Sequence, residues 1–175
     1  MENEEEVKWA LVDEAMARQI QSQGEIFLQA QLHCAIASDS RATTMAGLFI
    51  TLALAALGGG LGYWHETSSL SPLLSGLMSG ALLTAAAALA AWSARPINFF
   101  FPGNQPKNWF AGRRDALPIM IGGEAENYQR HIDANDRTLG ENQTALRCAY
   151  WLAIAAPLAG AVAWLIPAIC SSFRG

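Results

Sequence analysis

Three stretches of the chain, 42–64, 71–94 and 148–173, contain no Asp, Glu, Lys or Arg. A bilayer core of about 30 Å is crossed by about 20 helical residues, so each stretch is long enough to span it. Buried helices of soluble proteins rarely stay uncharged over that length. The pattern predicts an all-α integral membrane protein with three transmembrane helices, at 42–64, 71–94 and 148–170, and helical extensions outside the membrane. Before the first span, 7–38 reads as a mostly polar helix, with Trp9, Val12, Met16 and Ile20 at helical spacing and a later stripe of Phe27, Leu28, Leu32 and Ile36. Gly24 is its one weak point. Residues 38–41 contain neither Gly nor Pro, so this N-terminal helix, 1–41 as a segment, is expected to run on into the first span. Between the second and third spans, 95–147, prolines exclude a regular helix at first. Helical spacing returns over 124–146, where Tyr128, Ile132, Leu139 and Leu146 keep a thin apolar line.

Composition agrees with this reading. Hydrophobic residues make up 52% of the 175 and charged residues only 15%, which departs from soluble domains of this length. A secretory signal opens on a short basic segment, whereas here about forty polar residues headed by Glu4, Glu5 and Glu6 precede the first span. The first span is therefore expected to be a retained anchor.

Charge then sets the orientation. Lys8, Arg18 and Arg41 precede the first span, and Arg95, Lys107, Arg113, Arg114, Arg130, Arg137 and Arg147 lie between the second and third. The tight connection 65–70 has no Lys or Arg, and only Arg174 follows the third span. Because basic flanks stay inside, the N-terminus is expected in the cytoplasm and the C-terminus outside, in a multi-pass inner-membrane arrangement. Any recognition element would then be cytoplasmic, built from 1–41 and 95–147.

Within the first span, Thr44, Gly47, Thr51, Ala55, Gly58 and Gly62 fall at steps of three and four, leaving one face small or weakly polar. Such a face allows close helix approach. It also suits the lining of a pore, where Thr44, Gly47, Thr51 and Gly58 would leave room for water and ions. Both readings need neighbouring helices. The second span opens on Ser71 and Pro72, read as an N-cap and first helical residue, and carries Gly76 and Gly80 four apart, an association signature. Its alanine-rich end, 85–91, suggests protein on more than one side and favours a symmetric homo-oligomer.

The segment 98–110 carries Phe99, Phe100, Phe101, Trp109 and Phe110. Its rings suit the headgroup layer. Alternatively they form a platform for stacking a base, with Lys107, Arg113 and Arg114 near Trp109 to meet phosphate. Glu126 with Arg130, and Asp133 with Arg137, are spaced to pair along a solvated helix; a polar intersubunit bundle or a ligand site below the membrane is the other reading. Cys34, Cys148 and Cys170, and His33, His65 and His131, lack metal-ligand spacing, so neither a metal nor another cofactor is expected. No phosphate loop or nucleophile elbow appears, and enzymatic activity is not expected. Spans without ionisable residues disfavour a proton relay or ion-coupled transporter.

The run Ala37, Ser38, Asp39, Ser40, Arg41, Ala42 resembles the Asp-x-Lys-Ala motif that leads into the first span of Pycsar transmembrane effectors, with Arg41 in place of the lysine. Phe99, Phe100, Phe101, Pro102 and Gly103 resemble the aromatic-glycine stretch of those proteins, and the polar helix from Glu124 into Cys148 resembles their last juxtamembrane helix. The organisation is also similar to the channel component of the Hailong system. The resemblance, loose but covering most of the chain, implies a membrane effector of bacterial anti-phage defence. It further implies control by a cyclic nucleotide or short oligonucleotide, supplied by a cognate nucleotide-synthesising enzyme.

Two functions follow from the residues. One is a homo-oligomeric, nucleotide-regulated ion channel, since three helices of one protomer cannot enclose a pore. The other is a non-conducting accessory subunit packed against a larger membrane complex, whose glycine and alanine faces serve association alone.

Overall fold

The computed structural model describes residues 9–105, 107–108 and 116–172. These are helical nearly throughout: a 3-10 turn, Trp9–Leu11, then α1 (Glu14–Thr67), α2 (Leu70–Ser93) and α3 (Leu117–Ser172). Each of the three α-helices contains a stretch long and apolar enough to cross a membrane.

Local chemistry explains the boundaries. Asp13 ends the first turn and starts α1, its carboxylate accepting from the Ala15 N–H at 3.1 Å and its carbonyl from the Ala17 N–H at 2.9 Å. The helix expected from residue 7 therefore starts at Glu14, and Trp9 belongs to a separate element. With no Gly or Pro at 38–41, α1 continues unbroken to Thr67. Ser68 then takes a positive φ of 55° and turns the chain. The N-cap of α2 is Ser69 rather than Ser71; Pro72 falls inside the first turn, where a missing N–H removes no helical bond. Pro157 and Pro167 both lie within α3, which runs through them.

The chain divides into two compact units, the first from Met1–Ile36 and Ile97–Leu139, the second from Ala37–Pro96 and Gly140–Gly175. In the second, Phe49 of α1, Ala86, Ala87 and Ala90 of α2 and Ala149 of α3 form one buried cluster, and Ala53, Leu83 and Ala156 another. Small residues let the backbones meet. A methyl group at Gly76 would lie 2.6 Å from the Ala56 carbonyl and 2.9 Å from the Gly60 Cα, and one at Gly80 would strike Leu57. Gly76 and Gly80 thus serve the association their spacing suggested, with Gly60 as the partner on α1. Ser79 Oγ donates to the Ala156 carbonyl at 3.1 Å, and buried Ser93 Oγ to the Asn142 carbonyl at 2.8 Å. In a bilayer such interhelical bonds contribute about 0.6 kcal/mol each on average, so packing dominates.

Burial along α3 recurs every seven residues: Ile121, Tyr128, Asn135, Asn142, Ala149, Ala156 and Ala163 are all buried. Along α1 the matching face is Ala17, Gln21, Gly24, Leu28, Gln31 and Ala35 in the first unit, and Ala42, Phe49, Ala53, Ala56 and Gly60 in the second. Steps of four and three are the signature of left-handed coiled-coil packing. This face differs from the expected one. Leu28 and Leu32 turn inward, but Met16, Ile20, Phe27 and Ile36 are exposed.

Candidate functional site

In the first unit the buried face is polar at its centre. Asn135, 1% exposed, accepts the Phe100 N–H and donates to the Phe100 carbonyl, both at 3.0 Å, and donates to Gln31 Oε1 at 3.2 Å. Gln31 in turn donates to Asp136 Oδ1 at 2.6 Å and to the Ile132 carbonyl at 3.2 Å. The side chain of Asn135 thus pairs with the backbone of the segment after α2, and the Phe100 ring stacks on His131 with centroids 4.3 Å apart. Phe100 thus rests one face on protein while remaining 42% exposed, and Phe101 is more exposed still, at 64%. Asn104 Nδ2 donates to the buried Glu124 carboxylate at 2.6 Å, and Asn108 donates to Asn104.

Tyr128 occupies the gap left by Gly24, where a methyl group would lie 3.0 Å from its ring. Its hydroxyl donates to Glu25 at 3.0 Å. Burial first, then the hydrogen bond to Glu25 and the charges of Glu124 and Glu25, push the phenol above its ordinary range. The expected ion pairs along α3 give way to other partners. Glu126 accepts from Trp9 Nε1 at 2.6 Å, Asp133 from Gln129 at 2.9 Å, and Arg130 donates to Asn127 at 3.3 Å. Among the described residues the salt bridges are Glu14–Arg18 and Arg95–Glu141.

The predicted pore-lining residues lie on the face of α1 opposite the buried one. Thr44, Gly47, Thr51 and Gly58 are all exposed, and a methyl group at Gly47, Gly58 or Gly62 would meet nothing within 4 Å. Within the chain, then, this stripe does not mediate close approach; Gly60 does. Thr44 and Thr51 satisfy their hydroxyl protons on the carbonyls of Ser40 and Gly47, both at 2.9 Å, and keep oxygen lone pairs facing outward. The open stripe extends further than the spacing of small residues suggested. Met16, Ile20, Gln23, Phe27, Ala30, Cys34, Ala37, Arg41, Thr44, Leu48, Thr51, Ala55, Gly58 and Gly62 follow one another by alternating steps of four and three, and every one is exposed.

Of the predicted ligand-binding residues, Lys107 is exposed, while Trp109, Arg113 and Arg114 lie outside the described residues. The first unit also has a groove of 340 Å³ lined by Ile20, Gln23, Phe27, Tyr128, Gln129 and Ile132, among others. It carries no cation, so it is not a phosphate cradle. No group of His, Cys, Asp or Glu among the described residues could hold a metal ion. Comparison of the chain with protein-family models, with curated proteins and with solved structures returns no match.

Proposed function

We propose that the chain is a membrane effector of bacterial anti-phage defence that assembles with copies of itself into an ion-conducting pore, and that a nucleotide or oligonucleotide signal regulates it. The observation that carries the reading is the second face of α1. Fourteen consecutive four-and-three positions are exposed. They are small or hydroxylic at Thr44, Thr51, Ala55, Gly58 and Gly62, and apolar at Met16, Ile20 and Phe27. A lipid-facing helix has no need of a stripe of small and hydroxylic residues, and a water-facing one gains nothing from three large apolar side chains, whose burial is worth roughly 1.5–3 kcal/mol each. Helices of neighbouring copies packed around a common axis account for both. Thr44, Thr51 and Gly58 of the stripe then lie nearest that axis, with Gly47 flanking it beside Leu48.

The placement of basic residues supports a cytoplasmic N-terminus, a cytoplasmic first unit and an outer C-terminus in the inner membrane. The resemblance to Pycsar effectors and to the Hailong channel component supplies the class of signal. Lys107, Arg113 and Arg114 are the cations proposed to meet its phosphates, with Trp109 beside them.

The test is assembly and flux. The purified chain should form a ring of identical subunits by electron microscopy, and liposomes containing it should leak ions. Replacing Thr51 with Trp should lower that leakage at least tenfold with the ring intact. Leakage unchanged in that variant would take Thr51 off the conduction path, and liposomes that do not leak, or a monomer that requires a foreign partner, would instead make the chain a non-conducting accessory subunit.

A further inference from the structure

We infer that the pore is selective for anions, and that Arg41 provides the basic ring at its cytoplasmic mouth. This rests on the pore reading above and adds to it what passes through.

Arg41 is exposed and belongs to the open face of α1, three residues before Thr44 and seven before Leu48. Its Nε donates to the Ala37 carbonyl at 3.2 Å, which ties the side chain to its own helix and leaves the terminal nitrogens for solvent. It takes part in neither salt bridge of the described residues. The nearest carboxylate in sequence, Asp39, is half-buried and lies toward the other side of α1. Between Met16 and Gly62 the open face carries no other Lys, Arg, Asp or Glu, and the next step of the same spacing is His65. Its net character is therefore positive, concentrated where the helix enters its uncharged stretch.

One guanidinium per subunit becomes a ring when copies surround an axis. The guanidinium stays protonated at all relevant pH, so the ring cannot relieve its own repulsion by losing protons. Counter-ions must do so. Rings of Arg or Lys at a narrow opening favour anions because low-dielectric walls focus the field into the path. At an effective dielectric of about 20, an unscreened unit charge ~10 Å from the ion's path favours an anion over a cation by more than ~100-fold, and salt screening with a Debye length of about 10 Å reduces this to roughly tenfold. Thr44 and Thr51 deeper in the stripe are uncharged, and the partial negative charge of their outward lone pairs is small beside the full positive charge of Arg41.

The full-length protein should be reconstituted in liposomes or a planar bilayer under a potassium chloride gradient. Currents would be recorded with and without a 3′,5′-cyclic mononucleotide or a short single-stranded oligonucleotide. The reversal potential should sit near that of chloride, with a chloride-to-potassium permeability ratio of roughly ten. That ratio should shrink as ionic strength rises and screening shortens the reach of the ring. Arg41→Lys should keep the preference, Arg41→Gln should bring the ratio close to one, and Arg41→Glu should invert it. Conduction that favours potassium, a ratio unchanged in Arg41→Gln, or a ratio indifferent to salt would overturn the anion assignment and leave the pore standing. Absence of current in every condition from a wild-type ring would overturn the pore and this inference together.

Discussion

Asn135 does the most at the scale of single residues. Its amide satisfies both backbone groups of Phe100 and the side chain of Gln31 while almost wholly buried. Truncation would leave those groups with no partner, and each buried unsatisfied polar group costs about 1–3 kcal/mol. Asn135→Ala should therefore lower the melting temperature in detergent and speed proteolysis within 97–105, with the Gly76 region of α2 unaffected. Equal protection of 97–105 in variant and wild type would show that the segment is held by the Phe100–His131 stack alone. None of this was legible in the sequence, where the rings of Phe99–Phe101 suited either the headgroup layer or a base-stacking platform and nothing marked Asn135. A side chain that pairs with backbone leaves no mark on the sequence of its partner. For Glu126 and Asp133, spacing predicted Arg partners; Trp9 and Gln129 took the carboxylates instead, because surface ion pairs are worth too little to exclude other donors.

Among the elements, the three helices long and apolar enough to cross a membrane were legible, since a helix that meets water rarely goes without charge over such a length. So was the continuity of α1 through 38–41. Which face of α1 turns inward was not. Met16, Ile20 and Phe27 are more apolar than Ala17, Gln21 and Gly24, yet the latter are inside, because Tyr128 of α3 needs the space that Gly24 lacks a side chain to fill. Gly60 and Gly58 separate the two faces of α1 experimentally. Gly76→Ala, opposite Gly60, forces carbon against a backbone carbonyl and should destabilise the chain by about 1–3 kcal/mol in a detergent unfolding titration. Gly58→Ala meets no atom of its own chain and should gain helix propensity, about 1 kcal/mol, in the monomer. Any loss it causes should appear in assembly, read by cross-linking. Equal effects of the two substitutions on unfolding would mean that the two faces of α1 are not distinct.

For the whole molecule, the question is what covers the apolar positions left open in the first unit. Phe27 is 51% exposed and Met16 56%, on the same stripe as Thr44 and Thr51. Phe27→Glu places like charges together wherever copies meet along this stripe. It should shift the particle toward smaller assemblies at least tenfold in concentration by analytical ultracentrifugation, while helix content by circular dichroism stays that of the wild type. An unchanged assembly would confine self-association to other surfaces.

The seven-residue recurrence also restricts how the gene can change length. One inserted residue in α1 turns all positions beyond it by about 100°, carrying both the inward and the outward set off their faces at once. Seven added together restore the phase of both. Natural variants of this chain should therefore differ in α1 and α3 by whole heptads, with odd-sized insertions and deletions collected in the segment between α2 and α3. In that respect the protein resembles a ratchet whose teeth are cut before anything turns it.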